Sequence, residues 1–133
     1  MTAASLALQK AVFAALVADA GVGAVAGDRI YDATPREPVF PYVTLGDMAA
    51  SDWSTGTEAG AEHRLTLHVW SRARGKAECA AILAAVEAAL DPPPELDGHV
   101  LVNLRMVSAD IRRDSDGITF HGVIRFRAVT EPN

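Results

Sequence analysis

The chain has 133 residues, half of them apolar and 22% charged, with a net charge of −5 at pH 7. That length suits one domain with its own hydrophobic core, and the apolar fraction excludes wholesale disorder. The acidic balance excludes a protein whose main task is gripping phosphate, which needs a basic surplus. The single cysteine, Cys79, excludes an internal disulfide and a multi-cysteine metal site.

Residues 5–20 have helical periodicity, with Leu6, Gln9, Phe13, Leu16, Val17 and Ala20 along one side and Leu8, Val12 and Ala15 widening the stripe. Thr2 or Ser5 is placed to cap its start, and Gly21 to supply a left-handed residue at its end. Lys10 falls inside this segment and Asp19 ends its apolar run, a pattern unlike a signal peptide. No run is long and apolar enough to span a bilayer, so the expectation is a soluble protein made in the cytoplasm, with no membrane partner.

Gly21-Val22-Gly23-Ala24-Val25-Ala26 satisfies the dinucleotide-binding spacing G-x-G-x-x-A. That chemistry needs a preceding strand, so that the turn opens a helix towards the pyrophosphate. Here a helix precedes it, and a glycine-rich helix exit followed by a short helical turn is the better reading. Pro35 and Pro38 then force an extended connection into a first strand, Phe40-Pro41-Tyr42-Val43-Thr44-Leu45, whose Val43 and Leu45 face the core.

Residues 48–62 are rich in Ala, Ser, Thr and Gly and read as a long flexible loop, with Trp53 as its one large apolar side chain. Two roles are open to it: a solvated hairpin tip whose tryptophan folds back onto the sheet, or an arm that touches a partner. The next strand alternates strictly, with Leu65, Leu67 and Val69 on one face and Arg64, Thr66, His68 and Trp70 on the other. After Gly75 the period changes to that of a helix, with Cys79, Ile82, Leu83, Val86 and Leu90 forming a stripe able to cover the first face. Asp91-Pro92-Pro93-Pro94 stops that helix. Val100, Val102, Leu104 and Met106 define the inward side of a third strand; Asp114-Ser115-Asp116-Gly117 turns into a fourth, with Ile118, Phe120, Gly122, Ile124, Phe126 and Ala128 inward.

These elements, in the order α-β-β-α-β-β, predict a single α+β domain over residues 1–133. Its core would be a four-stranded, mainly antiparallel sheet with two main helices packed on one face. Chemistry is sparse. His63, His68, His99 and His121 do not form a zincin spacing, although His68 and His121 would meet if their strands were neighbours. Cys79 sits on a core stripe that would raise its pKa. Asp114-Ser115-Asp116-Gly117 lacks the third acidic position and the closing glutamate of a calcium loop. No catalytic motif is present, and the expectation is a protein that is not an enzyme and uses no metal or cofactor. The outward sheet face, which mixes aromatic, aliphatic and arginine side chains, suits an interface better than bare solvent.

Leu16-Val17-Ala18-Asp19, Gly27-Asp28-Arg29-Ile30-Tyr31, Phe40-Pro41-Tyr42-Val43, Leu67-His68-Val69-Trp70-Ser71-Arg72 with Gly75, and Gly122-Val123-Ile124-Arg125-Phe126-Arg127 follow one another in an order and spacing that resembles the small tail-completion, gp17-like family of tailed phages and gene transfer agents. The resemblance covers nearly the whole chain. It implies a structural ring, usually hexameric, at the head-proximal end of a particle's tail, with no catalysis and no cofactor. Such a ring caps the tail tube, halts tube polymerisation and joins the tail to the head-side connector, while DNA only passes through its channel.

The implied partners are other copies of the chain, the tail tube protein and a head-side connector or stopper protein. On that footing Arg64, His68, Trp70, Arg105, Arg125 and Arg127 are candidate contacts with a neighbouring subunit or partner. Asp52, Trp53, Glu58 and Glu62 are candidates for the channel wall, since a conduit for DNA should not hold phosphate tightly. A head-tail stopper or minor tail protein is the alternative of another class. A small ligand-binding or hydrolase domain would require a deep polar pocket at His68 and His121.

Overall fold

The computed structural model describes residues 2–133. In chain order these form α1 (Ala3–Ala18), α2 (Ala20–Ala26), β1 (Ile30–Tyr31), β2 (Tyr42–Asp52), β3 (Ala61–Ser71), α3 (Ala77–Ala89), β4 (His99–Arg113) and β5 (Phe120–Pro132). The fold is α+β, as predicted, but the sheet has five strands in the order β1-β2-β3-β5-β4, and it is mixed. The added strand, β1, pairs parallel to β2 through Ile30 opposite Val43 and Tyr31 opposite Thr44. A bond from Val43 N–H to the Arg29 carbonyl (2.9 Å) and one from Arg29 Nε to the Pro41 carbonyl (2.7 Å) tie this short strand down. Two residues are too few to carry an alternating pattern, so the strand is invisible to periodicity.

Three helices, not two, cover one face of the sheet. Thr2 caps α1, its hydroxyl accepting from Ser5 N–H at 3.0 Å. The helix stops at Ala18 rather than Ala20 because Asp19 turns extended, and its carboxylate accepts from Val22 N–H at 2.9 Å to cap α2. The left-handed glycine is therefore Gly27 (φ 61°), one helix later than the sequence suggested. The glycine-rich stretch lies inside a helix whose first turn already holds a carboxylate, an arrangement that leaves no place for pyrophosphate. Along α1 the buried residues are Ser5, Leu8, Val12 and Leu16, while Leu6 and Val17 are exposed. No single helix among the described residues is long and apolar enough to cross a membrane.

The helix after β3 matches expectation. Cys79, Ile82, Leu83 and Val86 are buried on α3 and join Leu65, Leu67, Val69, Phe120, Ile124 and Phe126 of the sheet in one apolar cluster. Each such side chain contributes about 1.5–3 kcal/mol when fully buried. Ser71 Oγ donates to Glu78 Oε1 at 2.8 Å, which fixes the end of β3 to the first turn of α3.

Two further expectations are corrected by register. Residues 48–62 are about half strand: β2 continues to Asp52 and β3 begins at Ala61, paired from Met48 opposite Leu65 to Asp52 opposite Ala61, leaving a tip of residues 53–60. Small side chains weaken the apolar alternation without preventing the backbone ladder. In β4 the pairing with β5 shifts between Leu101 and Asn103 and again between Met106 and Ser108. The first bulge breaks the alternation, so Val100 and Val102 are exposed where an inward face was expected; Leu104 and Met106 keep the inward phase opposite Ala128 and Phe126, with Leu104 buried and Met106, on the outermost strand, 38% exposed. Ile118 belongs to the turn and is 58% exposed.

Helix α3 approaches the sheet closely at Gly122 of β5. A Cβ built there would lie 2.7 Å from Cys79 Sγ and 3.0 Å from Leu83 Cδ1. Gly122→Ala is expected to destabilise the fold by about 1–3 kcal/mol through overpacking. Gly56, at the hairpin tip with open space around it, is the control: Gly56→Ala should leave the urea midpoint almost unchanged.

Candidate functional site

The helices leave the opposite sheet face uncovered, and pairing of β3 with β5 assembles its residues in rows. Trp70 stands opposite His121, His68 opposite Val123, Thr66 opposite Arg125, and Arg64 opposite Arg127. On the far side of β5, Arg112 stands opposite His121 and Arg105 opposite Arg127. The register thus brings five of the six predicted contact residues onto β3 and β5, and places Arg105 at the end of a row Arg64–Arg127–Arg105.

At one end the row is aromatic. The Trp70 ring stacks on His121 at 3.9 Å between centroids and 9° between planes, with Tyr42 on its other flank at 6.1 Å. Trp70 Nε1 donates to Thr44 Oγ1 at 3.2 Å. His68 and His121 do meet, with Nδ1 of the first 2.7 Å from Nε2 of the second. One ring donates the shared proton and the other accepts it, so at most one can carry a second proton without repulsion. Burial lowers the pKa of His68, and burial followed by the charge of His68 lowers that of His121. The imidazoles fill the space between the strands and stack at 4.9 Å.

At the other end the row is ionic. Glu62 accepts from Arg127 Nε at 2.8 Å and from its Nη2 at 2.7 Å, and its second oxygen lies 3.3 Å from Arg64 Nη2. With side chains only 13% and 16% exposed, Glu62 and Arg127 form a largely desolvated pair, which a charge change on either side would leave unbalanced. Glu62 is therefore a sheet residue locked to arginine and does not belong to the hairpin tip. Trp53 does fold back: the Arg127 guanidinium lies 4.9 Å from its ring centroid, while the tryptophan remains 53% exposed. Arg125 donates to Asp110 at 2.9 Å and to Ser108 at 3.3 Å. That ion pair is about half exposed and worth about 0.2–1 kcal/mol. Arg64 and Arg105 are exposed, as are Asp52 and Glu58 at the hairpin. Asp52 accepts from the Ser54 hydroxyl and N–H, which lowers its pKa.

Elsewhere the titratable groups serve structure. His63, which the sequence left without a role, is fully buried between Ser5 Oγ (3.4 Å) and Thr130 Oγ1 (2.9 Å). Its place on the inward face, in phase with Leu65 and Leu67, was the signal available in the sequence. Asp116 accepts from the N–H groups of Ile118 (2.9 Å) and Thr119 (2.8 Å), the work of a turn and not of a calcium loop. Burial pushes the Cys79 thiol up to about 11, far from a nucleophile's range. Among the described residues no group of three or more His, Cys, Asp or Glu side chains is placed to hold a metal.

Burial lowers the pKa of His63, His68 and His121 below the ordinary value of 6.5. The unfolded chain therefore binds more protons as the pH falls through 6.5, and acid removes stability. Thermal melts followed by circular dichroism should show a melting temperature that drops through this window, less steeply in His121→Gln. An unchanged slope in that variant would contradict the assignment.

Three comparisons bear on this architecture. Residues 10–131 match the family model of tail completion protein gp17. The chain is 29% identical to the tail completion protein gp17 of Bacillus phage SPP1 over 107 residues, covering 80% of this chain and 79% of that protein. Among solved structures it is similar to a chain in the virion of a native gene transfer agent particle, with a TM-score of 0.90, 37% identity and coverage of 98% and 99%. It also matches the structure of bacteriophage SPP1 gp17, with a TM-score of 0.64, 28% identity and coverage of 99% and 93%. A fold shared almost end to end with a chain of a virion, and a family match over residues 10–131, lead to one conclusion: the chain belongs to the gp17 tail completion family, a family of structural components of phage-like particles and not of enzymes.

Proposed function

We propose that this protein is a ring subunit, one of six, that ends the tail tube and joins the tail to the head-side connector. The ring would leave a channel through which DNA passes. The observation that carries the reading is the likeness along 98% of the chain, at a TM-score of 0.90, to a chain within a gene transfer agent particle. The geometry supports it in a second way. A sheet face that no helix covers, with Arg64 and Arg105 exposed, is a surface on which a neighbouring subunit, the tube protein or the connector protein can dock. In this reading Arg125, Arg127, His68 and Trp70 hold that surface in shape through their own partners, and the two exposed arginines make the contact. The hairpin tip, with Asp52 and Glu58 exposed and Trp53 anchored on Arg127, supplies an acidic rim suited to a channel that must not retain DNA.

Particles lacking the protein are expected to carry tails of uncontrolled length, or finished tails that fail to join heads, when imaged by electron microscopy. Full heads that leak DNA would instead place the protein on the head side, as a stopper. Within assembled particles, Asp52→Lys with Glu58→Lys should reduce DNA delivery, and unchanged delivery would remove the rim from the channel. Arg64→Glu with Arg105→Glu should leave the melting temperature close to that of the wild type while preventing tail completion.

A further inference from the structure

The sheet ends in two free edges that differ in a complementary way. On one side β1 covers only Val43 and Thr44 of β2, and among the described residues no strand pairs with the outer edge of β2 over residues 48–52. This edge carries small exposed side chains, Ala49, Ala50 and Ser51, followed by Asp52, with Asp47 just before it. On the other side, among the described residues, no strand pairs with the outer edge of β4, which makes only the local Leu96–His99 bridge at its start. It presents exposed apolar residues, Val100 (45%), Val102 (49%), Met106 (38%) and Val107 (53%). Its exposed arginines Arg105, Arg112 and Arg113 take part in no ion pair among the described residues. A long, apolar, unpaired edge strand is a liability in an isolated protein and is normally blunted, covered or used.

We infer that copies of this protein join edge to edge, the free β2 edge of one pairing antiparallel with the β4 edge of the next. This inference rests on the ring reading and names the contact that closes it. The strand directions agree: β2 runs antiparallel to β3, β3 to β5 and β5 to β4, so side-by-side copies bring β2 beside a β4 of opposite sense. The chemistry agrees too. Small residues on one edge admit the bulky residues of the other, and aspartates face arginines. Because the two edges lie at opposite ends of one sheet, the contact is head-to-tail, the type that closes into a ring when the rotation permits. The bulges at Val102 and Val107 divide β4 into short regular stretches. A pairing of a few residues therefore fits, which matches the short free edge of β2, while open-ended pairing with arbitrary strands is discouraged.

The test is disulfide cross-linking in purified particles. Ala49→Cys or Ser51→Cys is combined with Val102→Cys or Val107→Cys, giving double variants oxidised before non-reducing electrophoresis. Within one copy the edges are separated by β3 and β5, roughly 14 Å at about 4.8 Å per strand, well beyond the ~7 Å Cα limit of a disulfide. Cys79 is fully buried and does not compete. The expected result is a ladder of multimers in at least one double variant and none in any single variant. No ladder in any double variant, with several copies per particle counted by quantitative mass spectrometry, would overturn edge pairing while the ring reading stands. A count of one copy per particle would overturn both.

Discussion

The pairing of β3 with β5 is the constraint on which the rest depends. Eleven residues of each strand are locked in register, although they lie about half the chain apart in sequence. That register decides both faces at once. Inward it sets Leu65, Leu67 and Val69 beside Phe126, Ile124 and Gly122, the floor on which α3 rests. Outward it sets Trp70 on His121 and Arg64 beside Arg127. A slip of one residue would exchange the two faces, placing arginines under the helix and leucines in solvent. The absent side chain at Gly122 lets Cys79 and Leu83 descend onto the sheet, so core packing also resists such a slip.

The outward face is held rigid by its own partners. Trp70 has one ring face on His121 and its N–H on Thr44; Arg127 is clamped by Glu62 and laid on Trp53; Arg125 is tied to Asp110. Side chains fixed in this way lose little entropy when a second surface arrives, which favours a permanent structural contact over an adaptable one. The histidines and acidic groups of this chain are likewise engaged with partners of their own. Burial lowers the pKa of both imidazoles, and the charge of His68 adds to the lowering at His121, while the carboxylates are engaged by arginines, backbone amides and turns.

Much of the site was legible, but its internal organisation was not. Alternation alone placed Arg64, His68 and Trp70 on one face and Arg125 and Arg127 on another strand, because a period of two is a local property. That these strands are neighbours, with His68 touching His121, depends on pairing between segments far apart, and no local signal carries it. Glu62 illustrates the limit. Beside a run of glycine and small residues it looked like part of an acidic loop, and the backbone ladder drew it into β3, against Arg127. In β4 the failure has a different cause. Bulges insert residues that the periodic reading has no means to count, so Val100 and Val102 turn outward.

By itself the sequence determined the two large helices, the four long strands, the buried stripe of α3, the absence of catalytic spacing and the motifs that resemble one family, since each rests on local periodicity or residue order. Only the tertiary structure decided the fifth strand, the break at Asp19 and the extension of β2 to Asp52. It alone also brought Arg64, Arg127 and Arg105 into one row and left apolar β4 and acidic β2 as free edges at opposite sides of the sheet. The physical reason is the same in each case. Strand order and register are set by burial and hydrogen bonding summed over distant segments, and the edges are whatever that global optimum leaves unpaired.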